Sequence, residues 1–209
     1  MRVGAPVIRL GLPKGRMASE SDKFCDALGV KTRAGVLKYR TMVRGLPVSI
    51  YFMKAPDVAH LLKKNLLDLG LAGDEWLMET GIRPDGRCFE TRSYEALVCL
   101  LMARDDPRPF SRIRSVVTPY PNLARSLLSD MASRSEIMAI SGSSEAMVPD
   151  IADGCIDVVE TGTSADLNSL VIRRSFVHVT THLVRSERCD STVVAPVVDL
   201  LADARDFVR

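Results

Sequence analysis

The sequence predicts an α/β protein with mostly parallel sheets, and two observations carry that prediction. Five short apolar runs end in loops of small or polar residues: Pro13-Lys14-Gly15-Arg16, Ala72-Gly73-Asp74, Thr118-Pro119-Tyr120-Pro121, Ser141-Gly142-Ser143 and Glu160-Thr161-Gly162-Thr163. Each loop precedes a stretch of helical periodicity, and strand-helix alternation of this kind builds parallel sheets. In open α/β sheets ligands bind at the carboxyl ends of strands, so these loops are where function is expected. With 209 residues, 46% of them hydrophobic, the chain buries a full core as one large domain or two small ones.

In chain order, Val7 to Leu12 reads as the first strand. Ser19 caps the helix after it, Phe24 and Leu28 share its buried face, and Gly29 stops it. Val48 to Met53 is the next strand. Pro56 and Asp57 then open a helix with Val58, Leu61, Leu62 and Leu66 as its apolar stripe and Lys63 and Lys64 toward water. Asp68 to Asp74 reads as a buried strand of small residues, followed by a helix from Glu75 to Glu79 that Gly81 ends. Trp76 is a core anchor with no other role.

Arg83 to Arg92 is polar and rich in turn residues, Ala96 to Ala103 is apolar, and a domain crossing is expected near residue 93. Asp105 to Pro109 is a surface turn. Ile113 to Thr118 is a strand that leads into a helix with Leu123, Leu127, Leu128 and Met131 on one side. Glu136 to Ile140 is a strand ending in a donor-rich loop, with a helix that Pro149 shortens. Val177, Val179, Thr181 and Leu183 alternate with His178, Thr180, His182 and Val184 along an extended strand returning toward the first half. His178 and His182 are read as satisfied structural residues rather than ligands or a base, and His60 faces out. Ala195 to Phe207 closes the chain as an amphipathic helix.

The chemistry concentrates in Asp153 to Ser164. A strand from Cys155 to Val159 delivers an acid, a hydroxyl, a glycine and two more hydroxyls. Gly162 lets backbone approach an anion, while Thr161, Thr163 and Ser164 supply uncharged donors. Asp157 and Glu160, three apart, suit the vicinal hydroxyls of a ribose or a magnesium ion on a phosphate. The alternative is a strand end whose threonine caps the next helix. Lys14-Gly15-Arg16 likewise reads as an anion loop or as a turn with two solvated cations. One of the five loops carries cations and three carry neutral donors, which fits a ligand with phosphates at two places.

Formal charge is +2, from 28 basic and 26 acidic residues, and 5% of the chain is aromatic, so nothing favours nucleic acid or a membrane surface as a partner. Cys25, Cys88, Cys99, Cys155 and Cys189 are scattered and odd in number, which suggests reduced thiols in a cytoplasmic protein. Met1 to Leu12 lacks the apolar core of a signal peptide, and Ala96 to Ala103 is too short to span a bilayer.

Taken together, Leu12-Pro13-Lys14-Gly15-Arg16, Asp68 to Gly73, Tyr120-Pro121-Asn122, Gly142-Ser143 with Glu145, and Asp157 to Thr163 resemble the short form of the ATP phosphoribosyltransferase family. The resemblance covers most of the chain. It implies two α/β lobes like type II periplasmic binding proteins, here 1–93 with 181–209 and 94–180, around a central cleft holding the active site. The end at residue 209 leaves no room for a regulatory domain, so the resemblance implies a homodimer and a hetero-octamer with a histidyl-tRNA-synthetase-like subunit. It also implies the first step of histidine biosynthesis, in which adenine N1 of ATP attacks the anomeric carbon of phosphoribosyl pyrophosphate with inversion and loss of pyrophosphate.

By position, Asp157, Glu160, Thr161, Gly162, Thr163 and Ser164 would hold phosphoribosyl pyrophosphate. Lys14, Gly15, Arg16 and Lys54 would meet ATP or the pyrophosphate, Lys54 standing where an arginine is common. Mg2+ would come with the substrate phosphates, touching Asp157 and Glu160. Arg16 and Glu160 are favoured for charge stabilisation and sugar positioning.

Three positions depart from the family pattern. Its Phe-Gly-x-Cys-Arg is here Tyr94-Glu95-Ala96-Leu97-Val98, its Asn before Gly142 is Ser141, and Ser169 replaces a glycine after Asn168. These changes spare the cradle and touch the second substrate's surroundings. A relative that adds phosphoribose to another purine is the alternative within the class. A two-lobed binding module is the alternative outside it, opposed by the two acids at the cradle and by the absence of a signal peptide or helix-turn-helix segment.

Overall fold

A computed structural model describes residues 7–83, 85–129 and 135–203. The chain divides into two compact units, residues 1–94 with 180–209 and residues 95–179.

The first unit begins with β1 (Ile8–Pro13), buried at all but one position as an inner parallel strand must be. A single 3-10 turn at Gly15–Met17 leads into α1 (Ala18–Ala27). That turn starts the helical path early, so Met17 occupies the N-cap and the expected cap, Ser19, lies already inside the helix. Phe24 and Leu28 are buried and Gly29 follows in a left-handed conformation, as expected.

One strand was not anticipated. β2 (Lys38–Val43) pairs antiparallel with β3 (Leu46–Met53) about a turn in which Arg44 and Gly45 have φ of 46° and 84°. Two consecutive left-handed residues suit a tight hairpin because their twist matches the strands. β2 is an edge strand alternating exposed with partly exposed residues, so it lacks the apolar run that marks inner strands.

α2 (Ala55–Lys63) buries Val58, Ala59 and Leu62. Leu66, expected on the stripe, is 53% exposed, because left-handed Asn65 (φ 57°) ends the helix and turns Leu67 into the core instead. β4 (Leu69–Gly73) is wholly buried, and α3 (Asp74–Thr80) stops at Gly81. Trp76 is buried. β1 lies between β3 and β4, parallel to both.

β5 (Cys88–Ala103) runs from the first unit into the second. There β6 (Ser115–Thr118) precedes α4 (Pro121–Ser129), which buries Leu123 and Leu128; Met131, expected on the same face, lies outside the described residues. The expected turn at Asp105 to Pro109 is more than solvated surface. Arg108 pairs with Asp106 and with Asp153, and Arg173 donates to the carbonyls of Asp106 and Arg108. β7 (Glu136–Ala139) is followed by a short 3-10 turn, Ser144–Met147, where a helix was expected. β8 (Gly154–Val159) enters α5 (Thr163–Leu167). β6 is parallel to β7 and β8, while β5 joins β8 antiparallel with Leu97 opposite Val159.

β9 (Leu170–Arg185) returns to the first unit and pairs antiparallel with β4, Ala72 opposite His182 and Gly73 opposite Thr181. The expected alternation gives way there, since Thr181 to Val184 are all buried. Leu183 joins the core of β1, α1 and the closing helix, while Val184 joins that of α2 and α3, so both strand faces are covered. The closing helix α6 (Ser191–Asp203) starts four residues before the expected Ala195, and residues 204–207 of that expectation lie outside the described residues. Asp190 caps it, accepting from the amide and hydroxyl of Thr192. No helix among the described residues is long and apolar enough to cross a membrane.

Candidate active site

The predicted site residues fall into two groups, one in each unit. In the second unit, β8 is buried from Gly154 to Val158 and opens abruptly into exposed Glu160, Thr161, Thr163 and Ser164. Gly162 makes the change of direction at φ 79°, in the left-handed region that side-chain-bearing residues avoid, and forms the N-cap of α5. A Cβ at Gly162 would meet nothing within 4 Å, so the glycine is required by backbone conformation rather than by crowding.

No side chain caps α5, which sets aside the reading of Thr161 or Thr163 as a cap. Their hydroxyls instead lie 3.0 Å apart, and the Thr163 amide reaches Thr161 Oγ1 at 3.4 Å. Ser169, at φ 55°, holds a left-handed turn just beyond α5 without the glycine that the family pattern has there.

Asp157 and Glu160 do not form a side-by-side pair. Asp157 is 9% exposed and faces inward. Its Oδ1 accepts the Val158 amide at 2.7 Å and its Oδ2 accepts the Ser144 hydroxyl. Glu160 is exposed beyond the strand end. Glu145 stands nearby instead, accepting the Ser164 hydroxyl at 3.0 Å. The chain from Asp157 through Ser144 and Glu145 to Ser164 joins β8, the 3-10 turn and α5. Sequence reading placed Ser144 and Glu145 in a donor-rich loop and gave neither a partner.

No group of three or more His, Cys, Asp or Glu among the described residues is placed to hold a metal by itself. From Ser135 to Ile172 the sequence contains acids but no Lys, Arg or His, so the cradle's own loop offers an anion hydroxyls and amides; the cation that reaches α5 comes from outside that stretch, Arg104, 3.3 Å from Asp166. Cys155, beneath the cradle, is no nucleophile: burial, with Asp157 and Glu145 adding to it, pushes its thiol well up. Burial likewise pushes Cys25 up to about 11.

In the first unit the cations gather at the ends of β1 and β3. Pro13 pairs with Met53, and the Lys14 amide donates to the Met53 carbonyl at 2.8 Å, which sets Lys14 beside the start of α2 and Lys54. Lys14, Gly15, Arg16 and Lys54 are all exposed, and Ser21 ties α1 to the Pro13 carbonyl at 2.6 Å. A pocket of about 450 Å³ opens here, walled in part by Lys14, Asp22, Arg33, Val36 and Phe52. Arg33 was passed over in the sequence. Its signal is an exposed run from Lys31 to Lys38 with three cations and no acid.

At the end of β4, Asp74 accepts His182 Nε2 at 2.8 Å through Oδ1 and the Thr180 amide at 2.9 Å through Oδ2. His182 is thus partnered on one nitrogen, as a structural residue should be, while His178 is exposed.

A glycine-centred hydroxyl loop at one set of strand ends and an exposed cationic loop at another mark an α/β protein of two units whose strand-end loops are suited to anions. The comparisons narrow that class. A family model described as ATP phosphoribosyltransferase matches residues 54–203. An ATP phosphoribosyltransferase of Alkaliphilus metalliredigens is 28% identical over 191 residues, covering 87% of this chain and 88% of the relative. Among solved structures, the ATP phosphoribosyl transferase (HisG:HisZ) complex from Thermotoga maritima has a chain similar at a TM-score of 0.77 and 19% identity, covering 94% of this chain and 96% of that one. A binding component of an ABC transporter from Wolinella succinogenes, complexed with lysine, shares the fold at a TM-score of 0.60 and 13% identity, over 96% and 91% of the two chains. The expected likeness to periplasmic binding proteins therefore holds. The chain belongs to the ATP phosphoribosyltransferase family and is a transferase of the pentosyl-transfer kind.

Proposed function

We propose that the protein joins N1 of ATP to the anomeric carbon of phosphoribosyl pyrophosphate, releasing pyrophosphate, as the first step of histidine biosynthesis. The observation that carries this reading is the cradle at the end of β8, left-handed at Gly162 and walled by Thr161, Thr163 and Ser164. It offers donors to the 5-phosphate, while Glu160 at its rim suits the ribose. Asp157, with both oxygens already accepting hydrogen bonds, positions the Ser144 loop rather than touching sugar.

Adenine N1 has a free lone pair at neutral pH, so attack needs no general base. The protein's task is alignment and charge stabilisation. Lys14, Arg16 and Lys54, with Arg33 beside them, supply positive charge for the triphosphate and the leaving pyrophosphate. Mg2+ carried by the phosphates would add positive charge beside Glu145 and Glu160, whose loops carry no cation of their own. Of the two acids expected to touch it, exposed Glu160 has free oxygens for a hard cation and Asp157 does not. The Thermotoga maritima chain is part of a HisG:HisZ complex, and a second subunit for this chain, regulatory, histidyl-tRNA-synthetase-like and joined with it in a hetero-octamer, completes the proposal for a cytoplasmic enzyme.

The test is mass-spectrometric detection of phosphoribosyl-ATP from the purified chain with ATP, Mg2+ and phosphoribosyl pyrophosphate, with and without the partner subunit. A product is expected, and its rate should rise with the partner. No product under either condition would reject the reading.

A further inference from the structure

The His182 side chain is 11% exposed and its ring only half used. Nε2 lies 2.8 Å from Asp74 Oδ1, so that nitrogen carries the proton, and Asp74 is itself held by the Thr180 amide. In the neutral ring this leaves Nδ1 as a pure acceptor. It is buried, and among the described residues no donor meets it. Buried acceptors in native proteins are nearly always satisfied, so an exception calls for a cause. The neighbouring Thr181 hydroxyl, also buried without a partner, cannot supply the bond because successive strand residues face opposite ways.

The ring's position suggests what does. β9 lies beside β4 and β4 beside β1, so His182, next to the end of β4, is about 10 Å, two inter-strand spacings, from the Lys14 loop at the same edge of the sheet. That distance is well within the length of a nucleotide whose phosphates lie on the cations.

We infer that His182 Nδ1 accepts a hydrogen bond from a donor of the bound nucleotide, either the exocyclic amine of the base or a ribose hydroxyl, and so discriminates among nucleotides. The inference rests on ATP being the acceptor substrate. Docking must uncover the ring edge, because the free protein buries it. A group that recognises by accepting also rejects: a purine presenting oxygen at that position would set two lone pairs against each other.

The test uses His182→Gln, whose side-chain amide can still donate to Asp74 but offers nothing at the Nδ1 position. Dissociation constants are measured by calorimetry for ATP, for purine riboside triphosphate, which lacks the amine but keeps the N1 lone pair, and for 2′-deoxy-ATP. The wild-type protein should bind one of the two analogues roughly five- to tenfold more weakly than ATP. His182→Gln should keep the melting temperature, lose the same factor toward ATP and no longer distinguish that analogue. In the wild-type protein, the 15N resonance of Nδ1 should shift with ATP and not with the discriminated analogue, a readout that needs no variant. Equal affinities in wild type and variant, or an unmoved resonance, would overturn the inference. Those results alongside phosphoribosyl-ATP formation would leave the proposed function standing, whereas absence of product from the wild-type protein would remove the function itself.

Discussion

The two strand-end groups are suited to anions by opposite means. The first unit presents exposed Lys14, Arg16, Arg33 and Lys54 around an open loop, whereas the second presents hydroxyls and amides around Gly162 in a loop that carries no cation of its own. Charge attracts from a distance, tolerates imprecise geometry and is screened by salt. Neutral donors act only at contact and demand a fixed backbone. The cradle should therefore be sensitive to conformation and indifferent to ionic strength, and the cationic loop the reverse.

The sharpest way to break this comparison is Gly162→Val. A β-branched residue at φ 79° costs about 1–3 kcal/mol of backbone strain, so kcat/KM for phosphoribosyl pyrophosphate should fall roughly 5- to 150-fold. Gly162→Asn, which tolerates the left-handed region, should recover much of it; equal losses would place the need for glycine in space rather than in conformation. Next in size, Lys14→Met should lower kcat/KM for ATP roughly tenfold at low salt and by less as salt rises, because the wild-type attraction is itself screened. A loss independent of salt would assign Lys14 a structural role.

Ser144→Ala leaves the buried Asp157 carboxylate short of one donor. It should cost about 1–3 kcal/mol, seen as a melting temperature lower by about 2–4 °C for each kcal/mol. No change in melting would mean that water replaces the hydroxyl. The smallest effect concerns the structural acids of the second unit. Hydrogen bonds from the Arg108 guanidinium hold Asp106 below the usual carboxylate range. A group with a depressed folded pKa contributes fully above its unfolded value, about 4, and loses that contribution as pH falls through the lower folded one. Melting temperature should thus decline between about pH 5 and pH 2, with Asp106→Asn flattening part of the decline. An unchanged slope would show that Arg108 holds Asp153 alone.

Most of the scaffold was legible because inner strands are apolar runs and each ends in a small or polar loop. β4 and β8 stand almost where their residues alone place them. β2 was hidden because an edge strand need not be apolar, and only the Arg44-Gly45 pair advertised its hairpin. Ser19 failed as a cap because a 3-10 turn moved the helix start, a choice local composition does not disclose.

The residue types at the candidate site were readable in the same way: glycine where backbone must turn left-handed, hydroxyls around it, cations in the loop after the first strand. Those requirements are local, set by one residue's φ or one loop's charge, and the sequence by itself determined them. Which carboxylates pair with what was decided only by the tertiary structure. Asp157 meets Ser144 across 13 positions, Glu145 meets Ser164 across 19, and Thr180 meets Asp74 across 106. A hydrogen bond depends on distance and direction in space, and separation along the chain carries no information about either until the strands have paired.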